Sequence, residues 1–256
     1  MMANAPVPTG LAMPVDPRRL LCCLDLTILD EDASPATMDV LCARAGTELG
    51  PVAAVCVYPE YVDRCRRNLL AAGRRTIKVA TVTNFPDGGD DIDRAERETR
   101  RALAAGADEI DVVFPWRALL AGAEKVGFDL VRRCADLCHP RARLKVILET
   151  GQLVQPERIA RASTIAIEAG ADFIKTSTGK VAVNATAEAA RVMLETIRSL
   201  GGHCGFKAAG GIRTRDGAAL YLELAEQVLG PGWACPARFR IGSSSLYDDL
   251  LTALGG

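Results

Sequence analysis

Short runs of aliphatic and β-branched residues alternate along the chain with longer stretches in which apolar residues recur at helical spacing. Eight runs have the content of buried strands: LLCCLDLT (20–27), VAAVCVY (52–58), TIKVATVTN (76–84), EIDVVF (109–114), LKVILET (144–150), DFIKTST (172–178), GFKAAG (205–210) and FRIGSSS (239–245). Their spacing is roughly thirty residues, the length of one strand-plus-helix unit. Between them, SPATMDVLCARAGTEL opens with Ser34 placed as an N-cap and Pro35 as the first helical residue. DIDRAERETRRALAAGA carries acids early and arginines late and ends at Gly106, as the helix dipole favours. TAEAARVMLETIRSLGG begins at Thr186 and stops at Gly201. GADEID (106–111) and GADFIK (170–175) repeat one device: a glycine that ends a helix, a turn, then a buried strand.

Eight strands alternating with helices in 256 residues predict an α/β chain folded as one (β/α)8 TIM barrel over residues 18–256. Residues 1–17, rich in Ala, Pro and Gly, read as a flexible N-terminal tail. The rival is a doubly wound open sheet. That fold wants a glycine fingerprint after its first strand, and TILDED follows here instead. Polar residues stand near the C-terminal end of nearly every predicted strand, and one shared rim of strand ends is a barrel feature.

Composition narrows the function. Hydrophobic residues are 49% of the chain and aromatics 5%, so the core is aliphatic, as suits a parallel sheet buried on both faces. With 31 basic and 32 acidic residues the net charge is −1, and no global field draws nucleic acid or a membrane surface; attraction for an anion must be local. No run approaches the ~18 unbroken apolar residues of a membrane span, and prolines interrupt the N-terminal stretch where a signal peptide would be apolar. Nine cysteines without a disulfide-like frame read as free thiols in a reducing, cytoplasmic setting. Cys134 and Cys138, four apart on a predicted helix, read as small buried residues. The two histidines, His139 and His203, offer no zinc set and no Ser-His-Asp triad, so no metal or other cofactor is expected.

The candidate chemistry is carried by lysines. In FIKTSTGK, strand alternation puts Phe173, Lys175 and Ser177 on one face. Facing the interior, the Lys175 ammonium would be desolvated and its pKa lowered, leaving a neutral amine able to form a Schiff base with a carbonyl. Taken alone, a strand-end lysine that reaches solvent or pairs with an acid fits as well. Lys207, in GFKAAGGIR, holds a nearly equivalent place on the next strand, and neighbouring strands are ~4.8 Å apart. A second cation there depresses the first amine further; the alternative is a Lys207 that points outward. Asp111, in the middle of an apolar strand, needs a partner, as a proton shuttle or as a structural ion pair. Asp25 and Thr27 read as substrate or water positioners, or as a loop cap. Cys56 reads as a thiol facing the pocket, or as a small buried residue. Lys145 and Glu149 are expected to form a neighbouring ion pair.

A separate signal concerns anions. AAGGIRT (208–214) and GSSS (242–245) each follow a late strand and run into a predicted helix. Glycine lets backbone N–H groups approach an anion, helix N-termini favour negative charge, and barrels often hold phosphate after strands seven and eight. Within TGK (178–180), Gly179 and Lys180 add backbone N–H groups and an ammonium, with Thr178 beside them as a substrate contact.

KVATVTNFPDGGDD, GADEIDVVFPWRAL, LKVILETGQL, GADFIKTSTGKVAVNATAEAAR, GFKAAGGIRT and RIGSSSL together resemble deoxyribose-phosphate aldolases, from about Leu20 to Leu254. The resemblance implies a metal-independent class I aldolase of deoxyribose phosphate catabolism. It would interconvert 2-deoxy-D-ribose 5-phosphate with acetaldehyde and D-glyceraldehyde 3-phosphate. Lys175 matches the Schiff-base lysine, Lys207 the lysine that perturbs it, and Asp111 the aspartate of the proton relay. Gly210, Gly211, Gly242, Ser244, Ser245 and Lys180 fall on phosphate-binding positions, and Asp25, Thr27 and Cys56 on pocket-lining ones. The expected partners are small phosphorylated sugars and aldehydes, with a homodimer as the assembly. Three positions depart from the pattern. Ala208 stands where many members have Pro, Asp30 where some have Asn, and the sequence ends LGG where some extend to a terminal tyrosine. Another Schiff-base barrel acting on keto sugars and a non-catalytic phosphosugar-binding barrel are the rivals; loss of Lys175 or Asp111 would mark the latter, and both are present.

Overall fold

In the computed structural model, which describes residues 15–255, eight parallel strands close into a barrel. They are β1 (Leu24–Ile28), β2 (Ala54–Val57), β3 (Lys78–Thr83), β4 (Glu109–Val113), β5 (Arg143–Ile147), β6 (Phe173–Lys175), β7 (Gly205–Ala209) and β8 (Phe239–Ser243). Each pairs with its neighbours in sequence, and β1 pairs with both β2 and β8 to close the ring. This is the TIM barrel, a single domain, and not an open doubly wound sheet.

The first apolar run differs from its expected form. Pro17–Cys22 is a helix, α1, and the strand starts only at Leu24. An apolar run this short fits a buried helix as well as a strand. Asp16 settles it by accepting the Arg18 N–H as N-cap, and Pro17 has its φ preset for the first helical turn. Of the expected tail, residues 1–14 lie outside the described residues. The other helix boundaries follow their local chemistry. Ser34 and Thr37 form a capping box before Pro35–Arg44, and Thr186 caps Ala187–Ser199. Gly106 and Gly170, at φ 96° and 108°, turn the chain from a helix into β4 and β6.

Alternation along the strands makes two compartments. Outward residues such as Val55, Val79, Ile110, Val146, Ile174 and Ile241 join the large core under the helices. Inward residues on β2 and β3, namely Ala54, Cys56, Ala80 and Val82, form a smaller apolar cluster with Leu29. The inward residues of β4 to β8 include charged side chains. Low in the barrel, Phe173 lies in register with Gly205. A Cβ at Gly205 would stand 2.5 Å from the Phe173 ring and 2.8 Å from the Arg238 carbonyl oxygen. Glycine is therefore what lets the ring fill the interior. Gly205→Ala is expected to lower unfolding free energy by about 1–3 kcal/mol, the usual cost of overpacking, measurable as a lower urea midpoint at unchanged m-value.

Candidate active site

The strand register decides which charged groups meet. Asp111 on β4 is paired with Lys145 on β5, Lys175 on β6 with Lys207 on β7, and Lys207 with Arg240 on β8. All of these side chains point inward and are buried. The Asp111 carboxylate lies at the centre, 2.7 Å from Lys145 Nζ, 3.0 Å from Lys175 Nζ and 2.8 Å from Lys207 Nζ. Lys207 also donates to Asp25 at 2.6 Å. Arg240 donates to Asp25 at 2.7 Å and to both Glu109 oxygens at 3.0 and 2.8 Å. Lys145 reaches Glu109 at 2.6 Å.

Four cations (Lys145, Lys175, Lys207, Arg240) thus face three carboxylates (Asp25, Glu109, Asp111). Water cannot dissipate the surplus positive charge here, so one cation is poorly supported. Burial opposes the charge on Lys145, Lys207 and Arg240, but each has two or more carboxylate partners, and these hold its pKa above the ordinary value. Lys175 has one carboxylate contact. Burial lowers its pKa, Asp111 pulls it back up, and the Lys207 ammonium pushes it down again; the net direction is down. Burial also opposes ionisation of Asp25, Glu109 and Asp111, and the surrounding cations outweigh it, so all three lie below the usual carboxylate range.

Of these seven charged residues, only Lys175 also lines the cavity of about 220 Å³ at the C-terminal end of the barrel. Around it stand Thr27, Thr178, Gly179, Lys180, Gly210, Gly211, Gly242, Ser244 and Ser245. Gly179, Gly210 and Gly211 have φ of 86°, 89° and 81°, a left-handed backbone that turns their peptide groups as few other residues could. Ser245 precedes the helix Leu246–Ala253 without making a side-chain cap, and the Leu246 N–H goes instead to the Ser243 hydroxyl at 3.1 Å. Gly242 keeps room for Lys207, because a Cβ there would lie 3.0 Å from Lys207 Cε.

The sequence-predicted residues divide accordingly. Lys175, Lys207 and Asp111 meet in one network, and Lys207 points inward. Thr27, Thr178 and the glycine, serine and lysine positions meet on the rim. Asp25 is spent on Lys207 and Arg240 below the cavity, neither capping a loop nor reaching the rim. Cys56 is fully buried in the apolar cluster beside β3, and burial raises its thiol pKa. Ser177 does not share the cavity with Lys175, because regular strand ends at Lys175 and alternation ends with it. The expected Lys145–Glu149 pair does not form: Lys145 joins the interior network, while Glu149 binds Thr178. Glu109, Lys145 and Arg240 were not singled out for the interior network. A usable signal existed: each is a charged residue inside an apolar strand, on the same alternation phase as a neighbouring charged position.

A parallel barrel with a crowded charged interior under a rim of glycines, serines and one lysine is an enzyme barrel for a small anionic substrate. A profile described as DeoC/LacD family aldolase matches residues 19–229, and the chain belongs to that family. A structure from Toxoplasma gondii, provisionally described as a deoxyribose-phosphate aldolase, is 28% identical with TM-score 0.86, covering 93% of this chain and 95% of its own. One from Coccidioides immitis with the same provisional description is 30% identical with TM-score 0.82, over 98% and 92% of the two chains. The deoxyribose phosphate aldolase of Aeropyrum pernix, described as a tetramer, is 26% identical with TM-score 0.77, over 94% and 92%. Among the described residues, no helix is long and apolar enough to cross a membrane.

The interior carboxylates link stability to acid. Their folded pKa values lie below the unfolded ones, near 4. Their contribution is therefore full above about pH 4 and is lost as pH falls through the folded values. Glu109→Gln deprives Arg240 and Lys145 of a shared partner. It is expected to cost about 3–5 kcal/mol at pH 7 and to flatten the acid dependence, both read from denaturant curves collected between pH 3 and 7.

Proposed function

We propose that the protein is a class I deoxyribose-phosphate aldolase that cleaves 2-deoxy-D-ribose 5-phosphate through a Schiff base on Lys175. The observation that carries this reading is the interior charge imbalance, with its least supported amine being the one that opens onto the cavity. A neutral Lys175 amine attacks the C1 aldehyde of the open-chain sugar, and loss of water from the carbinolamine leaves an iminium. The C3 hydroxyl then gives up its proton, the C2–C3 bond breaks, and its electron pair moves into the iminium as an enamine. D-glyceraldehyde 3-phosphate leaves. Protonation of the enamine at C2 and hydrolysis release acetaldehyde and return the amine.

Asp111, 3.0 Å from Lys175 Nζ, and the Lys207 ammonium, 2.8 Å from Asp111, support a proton relay that works with a water in the cavity. A carboxylate held this far below its ordinary range hands a proton on rather than keeping it. The phosphate fits the rim: backbone N–H groups at Gly179, Gly210, Gly211 and Gly242, the Ser244 and Ser245 hydroxyls, and the Lys180 ammonium. Holding the remote phosphate orients the reacting carbons over Lys175.

Borohydride added with 2-deoxyribose 5-phosphate should leave a two-carbon adduct on the peptide carrying Lys175, and Lys175→Arg should abolish both adduct and turnover. Turnover with Lys175 unmodified, or a preference for fructose phosphates, would overturn the reading. Lys207→Met removes the cation that opposes the Lys175 ammonium and leaves Asp111 to favour it. The acid limb of kcat/KM, which reports the free enzyme, should move to higher pH, with kcat down by about 10²–10⁴.

A further inference from the structure

One buried acid has no part in the interior network. Glu149 follows β5 and is almost completely buried, and its backbone is left-handed, at φ 58° and ψ 58°. A non-glycine residue held there costs on the order of 1–2 kcal/mol. The fold therefore maintains a strained backbone at the one residue that delivers a carboxylate to the loop after β6. Glu149 Oε1 accepts the Thr178 N–H at 3.2 Å, and Oε2 lies 2.5 Å from the Thr178 hydroxyl. The Thr178 hydroxyl in turn accepts the Lys180 N–H at 3.0 Å. The two segments are also pressed together at Gly151 and Val183: a Cβ at Gly151 would stand 1.9 Å from the Val183 carbonyl oxygen.

The consequence follows from counting hydrogens. A threonine hydroxyl has one hydrogen and two lone pairs, whereas a carboxylate can only accept. Burial raises the Glu149 pKa and the two Thr178 hydrogen bonds oppose that rise. With the carboxylate ionised, the Thr178 hydrogen is committed to Oε2 and one lone pair to Lys180. Thr178 lines the cavity beside Lys175 and can offer a ligand only a lone pair. A lone pair welcomes a hydroxyl donor and repels a phosphate oxygen.

We infer that Glu149 is a positioning residue that fixes the hydrogen-bond polarity of Thr178. Thr178 thereby accepts from a hydroxyl of the sugar chain, while the phosphate is directed to the Gly210–Gly211 and Ser244–Ser245 side. Glu149 also holds the loop that carries Lys180. The inference rests on the proposed aldolase reaction for its substrate but not for its loop geometry.

The test compares Glu149→Gln, Thr178→Val and the double variant with the wild type. An amide at 149 that keeps the Thr178 N–H on its oxygen turns its NH2 group to the Thr178 hydroxyl, which must then accept it and present its hydrogen, not a lone pair, to the cavity. Glu149→Gln is expected to raise KM for 2-deoxyribose 5-phosphate about tenfold, the scale of one hydrogen bond to a charged group, and to raise KM more than it lowers kcat. In the Thr178→Val background the same change should add little to KM. Hydrogen exchange of the free protein should show faster exchange over residues 176–182 in Glu149→Gln. Independent KM effects that multiply in the double variant, or unchanged KM and unchanged exchange, would overturn the inference. Where Glu149→Gln does not fold, Thr178→Val decides: a raised KM supports the inference and an unchanged KM overturns it. Absence of wild-type turnover and of a Lys175 adduct would instead defeat the aldolase reading. In that case the exchange comparison alone decides whether Glu149 holds the loop.

Discussion

Asp111 is ionised where no bulk water can solvate it, and it is kept so by three ammonium groups arriving from three successive strands. Removing any one of them changes the charge state available to the others, because the partners share their carboxylates. The constraint is exacting on register. Side chains alternate from strand to strand with period two, so a one-residue slip of β5, β6 or β7 would turn its lysine out into the aliphatic core beneath the helices. The parallel ladder and the charge cluster therefore specify one another: the ladder places the charges, and misplacing a charge would be costly enough to exclude other ladders.

From this follows the division of the barrel. Arg240, Glu109, Lys145 and Asp25 form a saturated layer in which every cation has at least two carboxylate partners. That layer holds Asp111 and Lys207 in place. Lys175 lies at the edge of the cluster, where partners run out and the cavity begins. Its lowered pKa is a matter of position: the same side chain set one layer deeper would be pinned as a cation. Above it the rim combines glycines in left-handed conformations with the side chains of Lys180, Arg213, Ser244 and Ser245. Such a surface can receive an anion without adding further charge to the interior balance.

The apolar wall of Leu29, Cys56, Ala80 and Val82 has a complementary part. It occupies the β2–β3 side of the interior, so the charged groups come from β1 and from β4 to β8. Low dielectric on one side strengthens the electrostatic interactions on the other. Cys56 belongs to that wall as a small buried thiol, with burial raising its pKa.

The chain's own pattern was enough to establish eight βα units, their order, the helix starts at Ser34 and Thr186, the aliphatic core, and the lysines and glycines that end up near one another, because periodicity, capping and turn chemistry act over a few residues. It misplaced the start of β1, where a short apolar run is ambiguous until Asp16 and Pro17 are weighed as a helix start. It paired Lys145 with Glu149 because they are close in sequence. Only the closed barrel could bring Asp25 to Lys207 across 182 residues and Arg240 to Glu109 across 131. Only it could show that three carboxylates are set against four cations, or that Glu149 turns to Thr178. Charge balance is a property of a three-dimensional neighbourhood: it depends on which side chains share a water-free volume, and no local pattern encodes that volume.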